Sequence, residues 1–226
     1  MKTFLVVLTL ALLSLTVASA SPITCSSGNG TVTVGDPSSF SFTCGQLTFS
    51  NFSVVNPNGD AIGAVDINGA TYDSVTGTVD LNLNPNLGSG QDEGFMFEVT
   101  GGVTQLDLSV GGTDATVTER ACSTPIPTSG PTAFLCPTAQ LGTVSDFSND
   151  PNAPVFSLPF ASTSPIYIYK DIETGSGLPG SGTGAGQLSE LDQSFEISSI
   201  PEPVSMVLLG SGLLGVGLLR RRARKN

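Results

Sequence analysis

The 226-residue chain has 19 acidic and eight basic side chains, no histidine and a formal net charge of −11 at neutral pH. All the acids lie between Ser21 and Pro203, where Arg120 and Lys170 are the only bases, so this span carries a formal −17 (19 acids against two bases). Nucleic acid and anionic lipid headgroups are excluded as partners, because two bases build no basic patch, and without histidine neither a Ser-His-Asp nor a Cys-His catalytic arrangement can form.

In chain order, residues 1–20 come first. Lys2 precedes an apolar core from Phe4 to Leu15, and Ala18-Ser19-Ala20 stands before Ser21. Small side chains at Ala18 and Ala20 suit the pocket of a leader-cleaving protease, so a secretory signal peptide with the mature chain starting at Ser21 is expected. Residues 21–200 are long enough to bury a sizeable core. There the apolar residues alternate with small polar ones in Thr31–Val34, Ser39–Cys44, Thr78–Leu83 and Phe95–Val99. The pattern returns in Leu106–Val110, Ala115–Thr118, Pro165–Tyr169 and Ser194–Ile197. A period of two is what a strand with one face on a core requires, and no helical period competes with it. Asn58-Gly59, Asn68-Gly69, Gly101-Gly102 and Gly111-Gly112 read as turns between antiparallel neighbours. The expectation is an all-β, antiparallel β-sandwich of about nine to eleven strands. A barrel or solenoid is the rival, but no fixed-period repeat favours the solenoid.

Cys25, Cys44, Cys122 and Cys136 allow three pairings. Cys25 with Cys44 and Cys122 with Cys136 are expected, since each closes a short loop worth roughly 3 kcal/mol in an oxidising compartment. A zinc site is disfavoured, since there is neither a CxxC spacing nor a histidine. Ser123–Pro131, with three prolines, reads as an extended crossing between sheets or subdomains. Thr174–Gly186, with six glycines in thirteen residues, reads as a surface loop before a last strand that still needs a sheet partner.

Candidate chemistry is sparse. Glu190, Asp192 and Glu196 superficially resemble the carboxylate cluster of sandwich-fold glycoside hydrolases. On one strand, however, Glu196 lies roughly 13 Å beyond Asp192 at about 3.3 Å per residue. A retaining pair needs carboxylates about 5 to 5.5 Å apart, so a solvated strand face is the competing reading. Asn56, Asn58, Asp60, Asp66, Asn68 and Asp73 supply the oxygen donors that calcium prefers, yet Asn and Asp are also favoured turn residues. Asp60, Asp66 and Asp73 are the calcium candidates. Tyr167 and Tyr169 share a strand face by parity, either buried together or exposed to stack on sugar rings. No catalytic residue is assigned, and no cofactor beyond calcium is considered.

The C-terminal segment, residues 201–226, organises the reading of the whole. In Pro201-Glu202-Pro203 the two prolines forbid helix and hold Glu202 in an extended segment that a protease can grip. Ser205 follows, within an uncharged run from Val204 to Leu219, and then the bases Arg220, Arg221, Arg222, Arg224 and Lys225. As a helix the run is about 24 Å long, against a hydrocarbon core of about 30 Å, which is short for a permanent anchor. The basic end is expected in the cytoplasm and the rest of the chain outside. These residues resemble the PEP-CTERM sorting signal of Gram-negative bacteria, with Ile200 where that family often has Val. The resemblance covers about the last 27 residues of the chain. It implies recognition by exosortase, a membrane-embedded transpeptidase-like enzyme, with the precursor transiently in the inner membrane. It further implies delivery of the processed protein to the cell surface or an exopolysaccharide matrix. The expected role is a non-enzymatic surface or matrix structural protein. A calcium-assisted polysaccharide-binding or adhesion module is the alternative, and a glycan hydrolase a second one.

Overall fold

The computed structural model describes residues 23–25, 30–33, 40–55, 64–85, 87, 90–138, 140–147, 156–175 and 187–197. The expected signal peptide with Ala18, Ala20 and Ser21, and the C-terminal segment with Pro201, Glu202, Pro203, Ser205, Arg220, Arg221 and Arg222, lie outside these residues.

The described residues form β1 (Ile23–Thr24), β2 (Gly30–Thr33), β3 (Phe42–Cys44), β4 (Leu47–Val55), β5 (Ala64–Asp73), β6 (Thr78–Asn84) and β7 (Asp92–Thr100). β8 (Val103–Thr113), β9 (Ala115–Cys122), β10 (Gln140–Phe147), β11 (Phe156–Thr163), β12 (Ile166–Thr174) and β13 (Gln187–Ile197) complete them. There is no helix among them. The pairings are antiparallel and make two sheets. Sheet A runs β1-β5-β6-β13-β8-β11, with β2 beside β1 on the edge of β5, and sheet B runs β10-β9-β12-β7-β4-β3. The last strand finds its partners at the centre of sheet A, between β6 and β8.

Thirteen strands exceed the nine to eleven expected, and the surplus has physical causes. In β4 the alternation slips by one residue at Asn51, which sits at φ 55 where the register to β7 shifts, so that Phe49 and Phe52 both point inward. In β5 the same slip occurs at Asn68-Gly69. A bulge inserts one unpaired residue, which breaks the period-2 signal without ending the strand. Asn68-Gly69 is therefore not a turn. Gly111-Gly112 also lies within a strand, opposite a register shift in β13. Gly101-Gly102 does end a strand, but it carries the chain from sheet B to sheet A rather than closing a hairpin, at φ values of 127° and 83° that suit glycine. Asn58-Gly59 falls outside the described residues. β11 was hidden because it is an exposed edge strand containing Pro159, a position where proline is tolerated.

The inner faces of both sheets share one core, the arrangement of a β-sandwich. Phe42, Phe49, Phe52, Phe95 and Phe97 fill it from sheet B, and Phe195 enters from sheet A. The Phe195 ring meets Phe49 edge-on at 5.2 Å and Phe97 at 6.1 Å, a geometry that the ring quadrupoles favour. Both expected disulfides are present. Cys25–Cys44, with Cα atoms 5.4 Å apart, ties the segment after β1 in sheet A to β3 in sheet B. Cys122–Cys136, with Cα atoms 5.5 Å apart, ties the end of β9 to the segment leading to β10. That segment contains Ser123–Pro131, and since β9 and β10 are neighbours in one sheet it is not a crossing between sheets. It is a long hairpin connection folded back by the bridge.

The core also holds polar groups. Lys170, Glu119 and Gln193 are fully buried and face inward from β12, β9 and β13. Lys170 Nζ forms an ion pair with Glu119 Oε2 and donates to Gln193 Oε1.

Candidate functional site

In β12 the inward positions are Ile166, Ile168, Lys170 and Ile172, so parity turns Tyr167, Tyr169 and Asp171 to the outer face of sheet B. The connection between β9 and β10 covers part of that face, because Cys136 is bonded to the buried Cys122. Its fold is set by a hydrogen bond from Phe134 N to Pro127 O at 2.8 Å and by Arg120 Nη1 donating to Phe134 O at 2.8 Å. The Phe134 ring then stacks on Tyr169 at 5.2 Å, and the Arg120 guanidinium lies 5.8 Å from the centre of the same ring. Tyr169 is thereby closed off from solvent, and its hydroxyl donates to Asp171 Oδ1 at 3.1 Å. Burial pushes this phenol well above the ordinary tyrosine range, and the charge of Asp171 and the hydrogen bond to it add to the shift.

Tyr167 remains half-exposed at the edge of the cover, where a groove of about 300 Å³ opens. Its sides are Asn51, Ser53, Met96, Glu98 and Tyr167 from the sheet and Pro125 with Ile126 from the stapled connection. Asn51 donates its Nδ2 to Glu98 Oε2 at 2.7 Å. The left-handed backbone of Asn51 at the β4 bulge aims it there, and bulges commonly re-aim a side chain in this way. Burial and the neighbouring charge of Glu98 raise the Tyr167 phenol. The groove thus combines an aromatic face, a hydroxyl, an amide and a carboxylate with apolar walls. It has no basic side chain, which suits an uncharged, hydroxyl-rich ligand better than an anion.

Of the tyrosine pair, the structure closes Tyr169 and leaves Tyr167 for contact. Asp192 stands exposed on the outer face of sheet A and accepts a hydrogen bond from Asn82 at 2.7 Å. Glu196 accepts from Gln105 at 3.1 Å on the same face, four residues and about 13 Å along one strand, too far for a carboxylate pair. Glu190 belongs to β13 opposite Gly111, and its side chain lies outside the description. This face is a polar ladder: Asn68 donates to Asn82 at 2.8 Å and Ser194 to Asp80 at 2.6 Å, so carboxylates alternate with amides and hydroxyls.

Of the calcium candidates, the two described ones, Asp66 and Asp73, do not meet. They stand seven residues apart on β5, about 23 Å at strand rise, and Asp60, Asn56 and Asn58 fall outside the described residues. Asp73 Oδ1 accepts from Val75 N at 2.7 Å, the turn role that Asp commonly plays. Among the described residues no group of three metal-binding side chains occurs, and no helix is long and apolar enough to cross a membrane.

Sequence reasoning missed Asn51, Glu98, Phe134 and Arg120, which come together only through the bulge and the stapled connection. It also missed the buried polar group, although a signal was present. Lys170 stands between Ile168 and Ile172, Glu119 between Val117 and Ala121, and Gln193 between Leu191 and Phe195, each at an apolar beat of its strand.

Among the described residues the fold and the groove define two antiparallel β-sheets with a stapled cover on one face. Comparison with protein-family models and with curated proteins finds no match for this chain.

Proposed function

We propose that the chain is an exported structural protein of the cell surface or extracellular polymer, without catalytic activity of its own, sorted there by exosortase from an inner-membrane-anchored precursor. The single observation that carries this reading is the order Pro201-Glu202-Pro203, Ser205, a short uncharged run and Arg220-Arg221-Arg222 at the C-terminus. Two closed disulfides agree with export, because such bridges persist in oxidising compartments. An acidic polar ladder on the outer face of sheet A agrees with a hydrated matrix. Replacing Glu202 by Ala tests the reading: export continues, and an unprocessed precursor accumulates in the inner membrane. Glu202→Ala protein reaching the surface at the parent level overturns it.

The groove at Asn51, Glu98 and Tyr167 favours a second reading, a module that binds a neutral polysaccharide. A glycan array probed with the folded protein, with and without a chelator, separates it from the first. Binding that Tyr167→Ala abolishes supports the module, and binding lost on chelation adds calcium to it. An array on which no glycan binds leaves the purely structural role.

A further inference from the structure

Three polar side chains with no exposure hold one another inside the sandwich, and their chemistry goes further than an ion pair. Lys170 Nζ touches both Glu119 Oε2 and Gln193 Oε1. The Gln193 amide is fixed from behind, because its Nε2 donates to the main-chain oxygens of Asp107 at 3.1 Å and Ser194 at 3.4 Å. Its carbonyl is thus turned to the amine, with Cδ one bond beyond the atom that Nζ contacts. Glu119 Oε1 is buried and accepts no hydrogen bond among the described residues. The inward neighbours along the three strands are Val117, Ala121, Ile168, Ile172, Leu191 and Phe195, all without exposure.

Two opposite charges are costly to keep in such surroundings unless every lone pair is satisfied, and here one is not. Burial pushes the Glu119 carboxyl up and pulls the Lys170 amine down, although each moderates the other's shift. Both directions favour the uncharged amine beside the uncharged acid. A desolvated, neutral lysine is a nucleophile, and a carboxylic acid beside it is a proton shuttle.

We propose that Lys170 and Gln193 condense in the folded protein into an intramolecular amide that bonds β12 of sheet B to β13 of sheet A, with Glu119 transferring the proton. The Nζ lone pair forms the new bond to Cδ of Gln193. Glu119 delivers its acid proton to Nε2 and takes one from Nζ in exchange, the Cδ–Nε2 bond breaks, and ammonia leaves. One C–N bond replaces another, nothing is oxidised or reduced, and escape of ammonia draws the exchange forward. Holding the groups in contact supplies what an amide lacks in reactivity, since effective molarities of oriented groups reach about 10⁵ to 10⁸ M. Exclusion of water removes hydrolysis as a competitor. The proposal stands apart from the sorting reading, because it needs only the folded sandwich.

The test is the intact mass of the folded full-length protein, followed by trypsin digestion after unfolding, reduction and alkylation. The expected mass is that of the sequence with two disulfides, less one ammonia. Arg120 and Lys170 are the only tryptic sites between Ser21 and Leu219, and trypsin does not cut after an acylated lysine. Cleavage is therefore expected after Arg120 and not after Lys170. The Glu119→Gln variant should regain the ammonia mass and the cut at Lys170, and Lys170→Met, which has no amine, should regain the mass alone. An unshifted parent mass with cleavage at Lys170 overturns the proposal. So does loss of ammonia with Lys170 still cleaved, which places the loss elsewhere, as at an Asn-Gly pair. A cross-link that persists in Glu119→Gln overturns the role given to Glu119. The parent measurements decide the bond itself even if a variant fails to fold.

Discussion

Replacing Cys122 and Cys136 together by alanine is expected to cost about 3 kcal/mol from loop entropy alone, because the bridge joins residues 14 apart in sequence. Cys25 and Cys44 are 19 apart, and the logarithmic dependence on loop length makes their bridge worth only about 0.3 kcal/mol more. Packing reverses that order. The Cys122–Cys136 bridge also holds Phe134 on Tyr169, and a stacked ring pair adds about 0.5 to 1.5 kcal/mol. The Cys122→Ala/Cys136→Ala protein should therefore be the less stable of the two double variants, by roughly 0.2 to 1.2 kcal/mol. For a domain of this size each kcal/mol moves Tm by about 2 to 4 °C, so a total loss of about 3.5 to 4.5 kcal/mol gives a fall of about 7 to 18 °C from the parent. Thermal unfolding followed by far-UV circular dichroism, without reductant, reads the fall. The near-UV tyrosine signal should weaken in the same variant as Tyr169 loses its cover. A fall below about 2 °C, or a larger fall for the Cys25→Ala/Cys44→Ala protein, contradicts a bridge that both closes its loop and holds Phe134 on Tyr169.

Phe49 is fully buried, 5.0 Å from the Phe42 ring and 5.2 Å from Phe195 across the sandwich, so Phe49→Ala should cost about 3 to 5 kcal/mol in urea unfolding. A loss under about 1 kcal/mol contradicts the packing described. Tyr169 is raised in the folded state, so the stability it contributes is whole below the unfolded value of about 10 and is lost as pH rises towards the folded one. Unfolding measured above about pH 10 should show stability falling with pH, and less steeply in Tyr169→Phe; equal slopes in the two proteins count against the closed environment.

How far the sequence could be read is clearest strand by strand. Thr78–Leu83 and Ala115–Thr118 kept the alternation unbroken and became β6 and β9. Leu47–Val55 and Ala64–Asp73 are equally apolar, but a bulge at Asn51 and another at Asn68 shift the phase midway, and a rule of period two loses them. Asn-Gly and Gly-Gly are weak evidence for hairpins here for the same reason: backbone freedom serves bulges and sheet-to-sheet corners as well as turns. The disulfides were legible because short loops favour local pairing. The groove was not, since Asn51, Glu98 and Ile126 lie far apart along the chain and meet only when Cys136 draws its segment over sheet B. Lys170 needed no tertiary knowledge, because a lysine on the inward beat of Ile166, Ile168 and Ile172 already announces a buried partner.

The sorting of the chain is tested most directly by the intact mass of the protein recovered from the native cell surface. The expected product begins at Ser21 and has lost Arg220 to Asn226, since under the proposed sorting the tail would serve only to present Pro201-Glu202-Pro203 to exosortase. Surface protein that still carries Arg220 to Asn226 contradicts it, and makes the tail a plain membrane anchor.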